Sequence, residues 1–103
     1  MRADRGYFCF PEADIRIPFT KGMAALIQAK LTPKSAIAAM TTGHRFAAPE
    51  ALTHDLVDAT ADLDTLVDTA VARLLPLGEK DQGTLAAIKT VMFADAIDAL
   101  TLA

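Results

Sequence analysis

The sequence predicts an α/β fragment: one or two short strands followed by a mostly helical C-terminal region. Three observations point there. Tyr7-Phe8-Cys9-Phe10 is a continuous apolar run that stops at Pro11, the pattern of a short strand covered on both faces. From Thr20 onward apolar residues recur at spacings of three and four, the helical period. A chain of 103 residues also fits one domain with one modest core.

Met1 to Gly6 is polar and reads as a lead-in to the first strand. Asp14 to Pro18 reads as a second extended piece, with Ile15 and Ile17 on one face and Arg16 on the other. The first helix runs from Thr20 to Leu31, carried by Met23, Leu26, Ile27 and Leu31. Thr32-Pro33 restarts the helix with a capping hydroxyl and a proline at the first position. That second helix reaches about Met40, with Ile37 and Met40 inward, and Gly43 stops it. Ala48-Pro49-Glu50 opens a short helix through Leu52. Asp62 caps an amphipathic helix along Leu63, Leu66, Val67, Ala70, Val71 and Leu74, which Leu75-Pro76-Leu77-Gly78 ends. Asp81 or Thr84 caps a final helix to Leu100, apolar around much of its cylinder.

A net charge of -3 and a pI near 5.1 argue against a nucleic-acid partner. Cys9 is the single cysteine, so no internal disulfide forms, and a reducing compartment with Cys9 as a core thiol is expected. No apolar run approaches the roughly 18 residues of a membrane span, and the charged start does not read as a signal peptide. A cytoplasmic protein without a membrane partner is the expectation. His44 and His54 lack ligand spacing, so no metal is expected. A hydrophobic fraction of 52% and a mean hydropathy of +0.30 are high for so short a chain and imply surfaces that want a partner.

The residue of chemical interest is Glu12. It follows Pro11, which fixes the local backbone, at the junction of an apolar run and the helical region. A carboxylate held there is placed for proton transfer. Asp14, two residues on, would share its direction in a regular strand.

Phe10-Pro11-Glu12-Ala13-Asp14-Ile15 with Pro18-Phe19-Thr20-Lys21-Gly22-Met23 resembles the central segment of the crotonase superfamily, the enoyl-CoA hydratases and isomerases. Met40 to Phe46, Ala48 to Leu52 and Leu56-Val57-Asp58 resemble its next segment, and Asp81 to Leu100 its C-terminal helix with Ile88-Lys89. The pieces occur in the family's order, and the flavour is that of the plant peroxisomal-type delta3,delta2-enoyl-CoA isomerases. The resemblance covers the family's C-terminal part. It implies a single partial crotonase-like (ClpP/crotonase) domain over 1-103: last strands of the spiral core at 1-18, helices flanking the acyl pocket at 19-58, and a helical trimerisation region at 59-103.

By the same resemblance Glu12 is the catalytic carboxylate. Asp14, Arg16, Phe19, Thr20, Gly22 and Met23 stand where substrate is bound, and His44, Arg45 and Lys89 where coenzyme A is met. Arg16 replaces the family's usual glycine and either crowds the pocket or reaches solvent, and Asp55 replaces the glycine of a left-handed turn. Coenzyme A enters as part of the substrate, with no prosthetic group. The partners implied are acyl-CoA, an N-terminal half carrying the oxyanion hole, and further copies in a trimer-based homo-oligomer. The function implied is glutamate-mediated proton transfer on fatty acyl-CoA thioesters once that half is supplied, with the isolated chain inactive. The other reading is a non-catalytic truncated fragment or oligomerisation module.

Overall fold

The computed structural model describes residues 1–101. The last two residues of the region expected at 59-103 lie outside them. Among the described residues the chain is helical: α1 (Glu12–Ile15), α2 (Lys21–Lys30), α3 (Pro33–Thr42), α4 (Ala48–Thr53), α5 (Leu66–Leu74), α6 (Gln82–Met92) and α7 (Ala94–Thr101). Short 3₁₀ turns at Leu63–Thr65 and Leu75–Glu79 bracket α5.

No β-strand forms among the described residues, which corrects the expected α/β class. The N-terminal segment makes two isolated bridges, Arg2 with Ala61 and Phe8 with Phe46. In the second, each residue's N–H donates to the other's carbonyl, at 2.9 and 2.8 Å. A strand needs a row of such pairs. Gly6, at φ +85, breaks the extended path between the two bridges. Asp14 to Pro18 is not extended either. Pro11 accepts from the N–H groups of Asp14 and Ile15, both at 3.0 Å, and the chain winds into α1.

The predicted helix starts stand where their side chains can cap. Thr20 Oγ1 accepts from the Met23 N–H and Thr32 Oγ1 from the Ser35 N–H, both at 3.2 Å. Asp81 Oδ2 accepts from the Thr84 N–H at 2.8 Å and from its hydroxyl at 2.6 Å. Those bonds, the hydroxyl's first, hold the Asp81 carboxyl below its ordinary range. Gly43 ends α3 at φ +66, and Asp55 takes a left-handed φ of +58. Asp62 differs from expectation: its side chain caps nothing, and the first turn after it is 3₁₀. The single helix expected from Asp81 to Leu100 is two, parted at Phe93 (φ -110). The bend turns α7 back onto α2.

The core is small. Ala39 and Ala51 close on Phe46, which is 2% exposed, with Phe8, Phe10, Leu31, Leu56 and Val57 packed around them. Ser35, also buried, donates from its hydroxyl to the His54 carbonyl at 2.8 Å and ties α3 to the end of α4. Ala36 and Ala39 take the inward positions of α3, whereas Ile37, expected inward, is 65% exposed. Alanine lets the backbones approach where isoleucine would hold them apart.

A second seam joins α2 to α7. A Cβ on Gly22 would lie 2.9 Å from Leu100 Cα and 3.0 Å from the Ala99 carbonyl oxygen, so only glycine permits that approach. Lys30 Nζ sits 4.4 Å above the Phe93 ring centre and pins the bend between α6 and α7.

The arm from α5 to α6 has no buried residue. The expected apolar stripe of α5 is present in spacing, yet Val67 is 71% exposed. The radius of gyration is 15.7 Å, against about 13 Å for a compact chain of this length. The accessible surface is 7549 Å², where a folded monomer of this mass shows about 5,600 Å². Among the described residues no helix is long and apolar enough to cross a membrane.

Candidate functional site

Glu12 opens α1. Pro11 precedes it at φ -82, and Arg16 closes the turn in the left-handed region at φ +61, its N–H donating to the Glu12 carbonyl. A non-glycine residue there is strained by roughly 1–2 kcal/mol. That is a physical reason for glycine at this position, apart from any crowding of a pocket. Ile17 N–H donates to the same carbonyl at 3.1 Å. The backbone around Glu12 is therefore bonded from both sides.

The side chain of Glu12 is half-buried, and its Oε2 is fully covered without a hydrogen-bond partner. Buried polar atoms are nearly always paired, and an orphan points to a functional constraint or a missing neighbour. Aromatic rings stand on either side of it in sequence. Phe10 packs edge-on against Phe8 at 5.0 Å and against Phe19 at 5.9 Å.

Asp14 does not point with Glu12 as a strand would have it. Two residues along a helix turn through about 200°, and the Asp14 carboxylate lies against Gly43 instead. Arg16 is exposed, Phe19 half-buried against Phe10, and Thr20 is engaged as the α2 cap. Gly22 is buried against α7, and Met23 is exposed on α2.

The three residues expected to meet coenzyme A have separate environments. His44 Nε2 lies 2.8 Å from Glu50 Oε2, at the rim of a shallow cleft of about 360 Å³ that also holds Phe46 and His54. The Arg45 guanidinium stacks 5.1 Å from the Tyr7 ring centre. Lys89 is exposed in the last turn of α6, which packs on α7. Two further clefts, near 250 and 350 Å³, are lined by the 58–74 segment and by α3 with Gln28. Glu12 lines none of the three.

Sequence reasoning passed over Phe46 as an anchor and Ser35 as a tie. The signal for Phe46 is an aromatic three residues after a helix-ending glycine. Ser35 carries no signal of its own in the sequence.

No family model and no curated protein matches the sequence. Solved structures do. A probable enoyl-CoA hydratase from Mycobacterium tuberculosis H37Rv superposes with a TM-score of 0.82 at 21% identity, over 93% of this chain and 41% of that one. The apo structure of an enoyl-CoA isomerase of M. tuberculosis superposes with a TM-score of 0.85 at 20% identity, over 98% of this chain and 44% of that one. Both are structures of one gene product. The chain thus shares its fold with part of that mycobacterial protein and spans less than half of its length.

Proposed function

We propose that this chain is the C-terminal part of a crotonase-type enoyl-CoA isomerase or hydratase, with Glu12 as its proton-transfer group. The observation that carries the reading is the covered, unpartnered Oε2 of Glu12 in a chain with this fold. A neighbour supplied by another half, or by substrate, would complete that environment.

The chemistry is proton movement beside a thioester. One carboxylate takes a proton from C2 of a 3-enoyl thioester and returns it at C4, which moves the double bond into conjugation. Negative charge develops on the thioester oxygen and needs fixed donors, each worth about 10²–10³ in rate. Those donors belong to the proposed N-terminal half. A single glutamate suits the isomerase better than the hydratase, which uses two. Asp14, Arg16, Phe19, Thr20, Gly22 and Met23 form the substrate-facing segment of this proposal. His44, Arg45 and Lys89 are its residues toward the phosphates of coenzyme A. The division into 1-18, 19-58 and 59-103 belongs to the proposal as well, with the first part as bridged coil and α1 in place of strands.

The test is complementation. The chain alone should show no turnover of short and medium 3-enoyl-CoA, and co-expression with an N-terminal crotonase half should restore it. Turnover by the isolated chain at about 1 per second or more, ordinary for enzymes, refutes the reading.

A second reading, an oligomerisation module, draws on the unburied arm. The surplus surface of about 2,000 Å² on one chain is more than twice the roughly 800 Å² that each partner buries in a standard interface, as an extensive interface would require. On either reading further copies in a trimer-based assembly are the proposed partners. Sedimentation at micromolar concentration should show species larger than a monomer, and a stable monomer counts against that part.

A further inference from the structure

The last described helix packs chiefly on α2. The two run antiparallel and are clipped together at both ends. At one end Gly22, in the first turn of α2, meets the backbone of α7: a Cβ there would stand 2.9 Å from the Leu100 Cα and 3.0 Å from the Ala99 carbonyl oxygen. At the other end Lys30, in the last turn of α2, stands over the Phe93 ring at the start of α7. Between the clips Ala96 is the one buried residue of α7. The core lies elsewhere. The cluster around Phe46 draws on no residue beyond Val57, and from Asp58 to Phe93 no residue is buried. Phe93 itself breaks the helix and parts α7 from α6. A turn at Phe93 therefore frees α7 from α2 without uncovering the core.

We propose that α7 is a strap: it opens from α2 and closes on it as a unit while the Phe46 core stays folded, and its closure fixes the first turn of α2 for substrate. The second part rests on the reading of Phe19, Thr20 and Met23 as substrate-facing. Elements that bury little open at lower free energy than the core, and opening α7 uncovers one alanine and one close helix seam. The first turn of α2 is fixed at two points. Phe19, just before it, packs on Phe10 at 5.9 Å, and Gly22 meets α7. Opening removes the second of these. A ligand that binds the fixed turn in turn holds the strap shut, because a ligand favours the state it binds.

The first measurement is amide hydrogen exchange on the labelled 103-residue chain. The probes in α7 are Ile97, whose N–H donates to the Phe93 carbonyl at 2.9 Å, with Asp98, Ala99 and Leu100. Those in the core are Ala39, Phe46 and Ala51. The α7 amides should share one opening free energy, lower than that of the core and less dependent on urea. Phe46→Leu should speed exchange in the core about tenfold and leave α7 unchanged, since the core is folded in both states of the strap. Gly22→Ala should speed exchange in α7 about 10–100-fold. Alanine is the better helix former in α2, so that loss reads the seam. Lys30→Met, which removes the second clip, should speed it about two- to fivefold. A Cβ on Gly78 meets nothing within 4 Å, and Gly78→Ala is the silent control. Exchange of α7 in step with the core in Phe46→Leu, a gradient of protection toward the end of α7, or unchanged α7 exchange in Gly22→Ala overturns the proposal. If Gly22→Ala does not fold, Lys30→Met and Phe46→Leu decide.

The second measurement uses the enzyme completed by its N-terminal half and hexanoyl-CoA, a thioester with no double bond to move. At about ten times its dissociation constant the thioester should slow exchange in α7 about tenfold. Unchanged α7 exchange with the thioester bound overturns the link between closure and substrate. If calorimetry shows that hexanoyl-CoA does not bind, the functional reading has failed and that link falls with it, whereas the motion of the strap is decided by the exchange data on the chain alone.

Discussion

Glu12→Gln in the completed enzyme should cut turnover by roughly 10²–10⁴-fold and leave KM almost unchanged. Glutamine keeps the length of the side chain and most of its hydrogen bonding. It removes the group that titrates. The turn that presents the residue is built from backbone bonds of Pro11, Asp14, Ile15 and Ile17, and none of them involves the Glu12 side chain. The turn should therefore survive while proton transfer fails. Asp14→Asn should cost a few-fold at most, because asparagine retains the shape that lies against Gly43. Isomerase kinetics on the two variants decide it. Near-normal activity in Glu12→Gln places the base elsewhere.

Phe46→Ala should destabilise the chain by about 3–5 kcal/mol, the usual range for a buried phenylalanine. Among the described residues Phe46 is the one large side chain of the buried apolar core, the others being alanines. Its ring meets His44 at 4.6 Å and His54 at 5.7 Å, both edge-on, and its backbone pairs with Phe8. Small alanines on α3 and α4 cannot close over the hole. Native domains hold about 5–15 kcal/mol in all, so the variant should be partly or wholly unfolded at 37 °C. Urea denaturation followed by circular dichroism measures it. A loss below about 1 kcal/mol would mean that the core lies elsewhere.

What the sequence made legible is local. Thr20, Thr32 and Asp81 cap because a hydroxyl or carboxylate before a helix finds the third N–H wherever the fold goes. Gly43 and Asp55 are left-handed for equally local reasons. What it hid depends on neighbours. Tyr7 to Phe10 has the composition of a strand, but a ladder needs a second chain segment alongside, and the described residues supply single pairs. The stripe of α5 is legible as a stripe, yet spacing says nothing about whether anything covers it. Hydrophobicity alone places Ile37 inward, whereas the small alanines beside it let α3 pack closely. At the candidate site, the position of Glu12 after a proline was readable. The coverage of its Oε2 and the rest of Asp14 on Gly43 were not, because both come from how α1 meets α3.

The seam between α2 and α7 has a kinetic consequence. Gly22 and Leu100 touch across roughly 80 intervening residues, and closing such a loop costs about 4 kcal/mol of chain entropy before any contact repays it. The cluster around Phe46 joins nearer segments and is free to assemble first. Docking of α7 is then a late event, largely absent from the transition state. Substitutions at Gly22 or Ala99 should speed unfolding more than they slow folding, so this seam governs how long the folded chain lasts rather than how fast it is reached.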